Sequence, residues 1–227
     1  MRNQPLPQDF FAEARAHLKA LRMEEAINAY RQLMEQHPDH PEPPFYLGQI
    51  SLQAGDLPQA IAHLKKASAL KPESPEILNS LAAVLVQSQR LEEAVDALER
   101  LVRLVPSASL WNNLGVTQRN LGQFDQAETS FKAAIGIDPS GSKAMSNLGG
   151  LMNDLARLDE AEEFLTKALE MDPKSAEAWN NLGMLHISRD QPDQAVTCFD
   201  KALTLRPDYT RAKENLARLN LLLAEIA

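Results

Sequence analysis

The sequence predicts an all-α protein, a stack of short antiparallel helix pairs. Three observations predict it. An alanine recurs as Ala26, Ala60, Ala94, Ala127, Ala161 and Ala195, and a proline as Pro38, Pro72, Pro106, Pro139, Pro173 and Pro207. A small residue recurs in the same register as Ala14, Gly48, Ala82, Gly115, Gly149 and Gly183. The steps are 34 residues, except one of 33 between the third and fourth units. Within a unit the apolar residues keep helical spacing: Ala195, Phe199 and Ala202 fall at i, i+4 and i+7, one helix face. Helix pairs of this kind have apolar flanks that only stacking can bury, so the expected architecture is a quasi-one-dimensional α-solenoid.

The stretch from Ala176 to Tyr209 shows the elements most clearly. Its first helix carries Trp179 and Leu182 on one face. Gly183 lets a neighbouring helix approach closely, because it has no side chain. Asp190 to Pro192 make the turn. Pro192 and Asp193 suit the start of the second helix: proline has no N–H to leave unpaired there, and aspartate complements the positive helix end. Pro207 stops that helix.

Six units follow from the register, 7–40, 41–74, 75–107, 108–141, 142–175 and 176–209. Residues 1–6 are expected to be a frayed tail. In the first unit Glu13 replaces the Leu of later units, which suits a terminal repeat; Phe10 takes the place of Trp179 and Tyr30 that of Phe199. Pro41, Pro43 and Pro44 are expected to delay the second unit's first helix, and Pro58 to open its second. Ser74 reads as a helix cap with Pro75 just inside. The third unit lacks one residue, in the Pro106–Ser109 turn, and an irregularity is expected there. Residues 210–227 form a last helix, capped by Thr210 and running to about Ala224, with Leu216, Leu219, Leu223 and Ile226 as its buried stripe.

The unit resembles the tetratricopeptide repeat, whose pattern is W-x2-L-G-x2-Y…A-x3-F…P. Trp111-Asn-Asn-Leu-Gly and Trp179-Asn-Asn-Leu-Gly carry it most fully, and Met145 replaces the Trp between them. The resemblance implies a right-handed superhelix in which the first-helix Gly faces the second-helix Ala, and a final solvating helix. It also implies a concave groove lined by first-helix positions 2, 5, 6, 9, 12 and 13. Those positions place Phe11, Arg15, Phe45, Tyr46, Gln49, Leu52, Asn79 and Val86 in the N-terminal half of the groove. Asn112, Asn113, Arg119, Lys143, Asn147, Gly150, Asn153, Asn180, Asn181 and Met184 line the C-terminal half, and the last helix adds Arg211, Asn215, Arg218 and Leu222. The first half is thus more apolar and the second amide-rich.

Composition narrows the partners. With 23 Lys and Arg against 31 Asp and Glu, the net charge is -8, which argues against nucleic acid or an anionic membrane as the main partner. Cys198 is the one cysteine, so no intrachain disulfide forms and a reducing compartment is favoured. The N-terminus has no apolar leader core and no run reaches the ~18 residues of a membrane span. A cytoplasmic protein with no integral membrane segment is expected.

Asn113, Asn147, Asn181 and Asn215 recur every 34 residues, a ladder of amides. An amide offers a donor and an acceptor, so the ladder can hold an extended peptide's backbone; the other reading is a merely solvated wall. Some members of the family, the O-linked N-acetylglucosamine transferases among them, use such a ladder. Replacing these amides is expected to spare folding, since they face the open groove. The Lys-based clamp by which other members hold acidic chaperone tails is missing: position 5 carries Phe11, Phe45, Asn79, Asn112, Ser146 and Asn180. His37 and His40, beside Asp39 and Glu42, lack the further ligands of a closed zinc site. Cys198 reads as a structural thiol and His186 as a packed ring. Glu92, Glu93, Asp159 and Glu160 mark second-helix starts. No phosphate loop, nucleophile elbow or zinc-protease motif is present, and neither a metal nor a cofactor is expected.

These readings point to a non-catalytic scaffold that takes a peptide or protein, extended or helical, in its groove. The alternative is the substrate-recruiting segment of a larger enzyme such as a glycosyltransferase or sulfotransferase. The apolar terminus, with Leu221 and Leu222 off the buried stripe, suggests self-association or a following domain.

Overall fold

The computed structural model describes residues 7–226, with side chains over 11–224. The expected tail and the side chains of Phe10 and Ile226 lie outside the described residues. Helices α1 (Pro7–Lys19) and α2 (Met23–Gln36) form the first pair, α3 (Glu42–Gln53) and α4 (Leu57–Leu70) the second, and α5 (Pro75–Gln87) and α6 (Leu91–Leu104) the third. The pairs α7 (Ala108–Asn120) and α8 (Phe124–Ile137), α9 (Ser142–Asp154) and α10 (Leu158–Met171), and α11 (Ala176–Ser188) and α12 (Pro192–Leu205) follow. Helix α13 (Thr210–Ile226) ends the described chain. Among the described residues there is no strand, and no helix is long and apolar enough to cross a membrane.

The helix ends keep the repeat register. Helix α3 begins one residue late, behind Pro41. Pro58 is the second residue of α4, not the first: Leu57 leads, and the Asp56 carboxylate accepts the Gln59 N–H at 3.1 Å, a cap that sets the boundary earlier. Helix α13 starts at Thr210 itself and runs past Ala224 to Ile226. Within its stripe Leu219 is buried and Leu216 and Leu223 are half-buried.

All six turns between paired helices share one geometry that the sequence hardly announces. The fifteenth residue of each unit takes a positive φ: Leu21, Gly55, Gln89, Gly122, Ala156 and Asp190, between 57° and 78°. The next residue's N–H then reaches back five residues, as in Asp56 N–H to Ser51 O and Arg157 N–H to Met152 O, at 2.9 and 2.8 Å. This satisfies carbonyls that the helix end leaves unpaired. Only two of the six are glycine, the residue that bears the left-handed region without cost.

The small first-helix residue packs against a large second-helix side chain. A Cβ on Gly48 or Gly149 would stand 2.7 Å from Cγ of Leu64 or Leu165, and one on Gly115 2.7 Å from the Phe131 ring. The alanine expected as the partner contributes only backbone, Ala161 O at 3.1 Å from the Gly149 position. Leu64, Phe131, Leu165 and Phe199 are all buried, each contributing about 1.5–3 kcal/mol by removal from water. The chain divides into two compact units, the described parts of Met1–Val105 and Pro106–Ala227. The boundary falls where the period loses its residue. Each unit is an all-α stack of helix pairs, with Tyr30 and Leu33 among the core of the first and Phe131, Leu148 and Met152 in that of the second.

Candidate functional site

In the second unit the first helices α7, α9, α11 and α13 stand side by side and are pinned together by amides. Asn147 Nδ2 donates to Asn112 Oδ1 at 2.8 Å, from α9 to α7. Asn181 Nδ2 donates to the Ser146 carbonyl and to Ser146 Oγ, both at 3.1 Å, from α11 to α9. Asn215 Nδ2 donates to Asn180 Oδ1 at 2.9 Å, from α13 to α11. Each bond joins position 6 of one unit to position 5 of the preceding one. Three rungs of the amide ladder are therefore interhelical clasps, which corrects the expectation that they stand clear of the fold. The clasp fixes each amide's orientation: one N–H is spent, and the Oδ1 atoms of Asn147, Asn181 and Asn215 keep no partner among the described residues. Asn113 is exposed and joins no clasp.

Charged groups on this wall are unevenly matched. Arg119 Nε donates to Asp154 Oδ2 at 2.5 Å and its Nη2 to the Gly150 carbonyl at 3.2 Å. A side chain at Gly150 would meet that guanidinium, Arg119 Nη1 lying 3.0 Å from the Cβ position. Glu177 pairs with Arg206 at 2.5 Å. Burial, the largest single influence, pushes the Glu177 carboxyl up; the Arg206 hydrogen bond, its own backbone N–H and the Arg206 and Lys143 charges together outweigh it and hold the group below its ordinary range. Lys143, Arg211 and Arg218 are exposed, with no carboxylate partner among the described residues. Glu214, one turn from Arg218, is exposed as well.

The first unit holds an aromatic cluster of which only Tyr46 is half-exposed. Tyr46 stacks on Tyr30 with ring centroids 5.0 Å apart and meets Phe45 edge-on at 5.3 Å. Phe45 and Tyr46 border a cleft with Arg15, Glu42, Lys71 and Glu76. The Tyr30 hydroxyl is buried without a partner, and burial, then the Tyr46 and Glu42 charges, push its pKa up. Gln49 is half-buried, and Asn79 is exposed and belongs to no hydrogen-bonded pair among the described residues.

Four groove residues named from the register are buried: Phe11 and Asn180 are 4% exposed and Phe45 5%, and Gly150 is buried as well. Phe45 meets Tyr46 edge-on, and Asn180 accepts the Asn215 amide. The register names a helix face but does not say how far the next helix overlaps it. Asp154 and Ser146 are the partners the sequence reading passed over; both occupy groove positions, 13 and 5, which was the available signal. His40 stacks on Phe11 at 4.4 Å, and His186 Nδ1 lies 2.8 Å from Gln191 Oε1. Among the described residues no group of three or more His, Cys, Asp or Glu side chains is placed to hold a metal.

Family models described as tetratricopeptide repeat match residues 11–75, 51–115, 120–180 and 176–209. The chain belongs to the tetratricopeptide repeat family. Two curated proteins are similar over part of their length: a probable biofilm formation methyltransferase, WspC, of Pseudomonas putida, and the protein FlbA of Caulobacter vibrioides. WspC is 35% identical over 80 residues, 35% of this chain and 19% of that protein. FlbA is 34% identical over 124 residues, 52% of this chain and 20% of that protein. The chain thus spans about a fifth of the length of the curated relatives it matches. Among solved structures, the fold is similar to YrrB, described as a TPR protein with an unusual peptide-binding site. The TM-score is 0.62 at 23% identity, over 83% of this chain and 98% of that one. It is likewise similar to MamA of Desulfovibrio magneticus, with TM-score 0.63 at 21% identity over 77% and 99%.

Proposed function

We propose that the chain is a non-catalytic protein-interaction scaffold whose second unit holds an extended peptide segment on the first-helix wall. One observation carries this reading: Asn147, Asn181 and Asn215 are held by like clasps, each with an unpaired carbonyl oxygen. Such oxygens at a fixed repeat accept backbone N–H groups whatever the segment's sequence. An extended chain rises ~3.3 Å per residue and so passes several rungs. Each neutral bond adds about 0.5–1.5 kcal/mol net, and several are needed for useful affinity. The exposed cations of the same wall favour an acidic segment.

The test is affinity capture with the wild-type chain and with the double variant Lys143→Glu, Arg211→Glu. These residues are exposed and belong to no clasp, so the helical content and Tm should hold. Loss of the captured partner supports the reading, and unchanged capture removes the wall from consideration. A second reading, a recruiting segment of a longer enzyme, is favoured by the partial match to WspC, a named methyltransferase. Reading the gene through Ala227 decides it.

A further inference from the structure

The C-terminal end of that wall holds a feature the amide ladder does not explain. Between the α11–α12 pair and α13 lies a cavity of about 220 Å³, lined by Met184, Ile187 and Phe199 on one side and Leu219 and Leu222 on the other. Its interior is apolar. Two polar residues, Asn215 and Arg218, stand at it. The Asn215 Nδ2 is already spent on Asn180, so its free Oδ1 presents an acceptor. Arg218 is exposed and without an ion-pair partner among the described residues. Phe199 and Leu219 are buried core residues, so the floor is fixed by packing.

We infer that this socket is a specificity pocket: it takes one apolar side chain of the bound segment, of Leu or Met size, while Arg218 pairs with a carboxylate on the adjacent residue. The size of the cavity suits a single side chain. The rim supplies one side-chain acceptor for a peptide N–H and one cation, which match an extended peptide with an acidic neighbour and do not match a basic one. The inference rests on the peptide-scaffold reading and goes beyond it by fixing two neighbouring residues of the ligand.

The test uses the ¹⁵N-labelled chain and three synthetic octapeptides of Gly and Ser that differ in a central pair: Leu-Asp, Leu-Asn or Ser-Asp. Amide shifts of Met184, Ile187, Leu219 and Leu222 are followed during titration. The Leu-Asp peptide should shift them and bind roughly tenfold more tightly than Ser-Asp, since burying one apolar side chain carries about that factor, and about two- to fivefold more tightly than Leu-Asn, since an exposed ion pair carries no more. Arg218→Glu should abolish the preference for Asp over Asn, with Tm unchanged. Leu222→Glu, also at an exposed position, should abolish the preference for Leu over Ser. Equal affinity for all three peptides overturns the inference. Shifts confined to Asn147 and Asn181 also overturn it but leave the scaffold reading standing, whereas no shift anywhere counts against both. If the socket amides broaden with protein concentration and ignore the peptides, the occupant is a second copy of the chain and the inference fails.

Discussion

A Cβ built on Gly183 would stand 2.6 Å from Cε1 of Phe199, inside any real carbon–carbon contact. Phe199 is fully buried, and its ring must leave its packed position to admit the methyl group. Gly183→Ala should therefore destabilise by about 1–3 kcal/mol, as overpacking does. Gly136→Ala is the control. That glycine is exposed in α8 with nothing within 4 Å, so alanine should stabilise by about 0.5–1 kcal/mol. Chemical denaturation of the two variants gives the comparison, and equal effects would falsify the packing argument.

The same core makes Ala161 intolerant of growth. It is fully buried, and its carbonyl lies against the Gly149 position. Ala161→Leu should lower Tm by an amount corresponding to about 1–3 kcal/mol. An unchanged or raised Tm would mean that the stack has slack at this level.

The fifteenth position gives the opposite sign. Ala156 sits at φ 57° with no glycine to relieve it. Left-handed backbone costs an L-residue about 1–2 kcal/mol, partly offset by glycine's extra entropy when unfolded. Ala156→Gly should raise Tm, and Gly122→Ala, at φ 75°, should lower it. A thermal melt that ranks them otherwise would show that the turn relaxes on substitution.

Asn181→Ala should cost folding stability. Its amide donates to two Ser146 oxygens between α11 and α9. Removing that clasp should destabilise by about 0.5–1.5 kcal/mol. Urea midpoints for Asn181→Ala and Asn113→Ala separate a clasp from an exposed amide; indistinguishable midpoints defeat the distinction.

Acid should weaken the second unit through Glu128. The Lys132 hydrogen bond, with that from Arg157, holds its carboxyl below the ordinary value despite partial burial. A depressed folded pKa stabilises above the unfolded value of about 4.3 and loses that contribution as pH falls through the folded pKa. Glu128→Gln should therefore narrow the Tm difference between pH 6 and pH 3. A wild-type slope in the variant would assign the acid sensitivity elsewhere.

What the sequence disclosed and withheld follows from what repeats. Helix boundaries were readable because Pro207 and its counterparts stop each second helix at the same step. The close approach at Gly183 was readable as an approach, but its partner Phe199 was not, since sixteen residues in sequence do not say which face the second helix turns inward. The left-handed turn was signalled only at Gly55 and Gly122, and Leu21 and Ala156 carry the same backbone with no chemical mark. The clasps were hidden because the acceptor varies, Asn112, Ser146 or Asn180, while only the donor keeps the period. Phe45 keeps the groove register yet lies buried, because a register fixes direction along a helix but not coverage by the next one.

The residue missing from the Pro106–Ser109 turn leaves a seam in the molecule, with the described parts of Met1–Val105 and Pro106–Ala227 as separate compact units. A seam of this kind is a place where a gene can be cut. Each side keeps its own core, so substitutions in one half need not be compensated in the other, and a new half could be spliced on at the Val105–Pro106 bond. Drift, duplication and exchange would then act on three-repeat cassettes, not on single repeats. Sequence divergence among homologues should accordingly change rate at this bond.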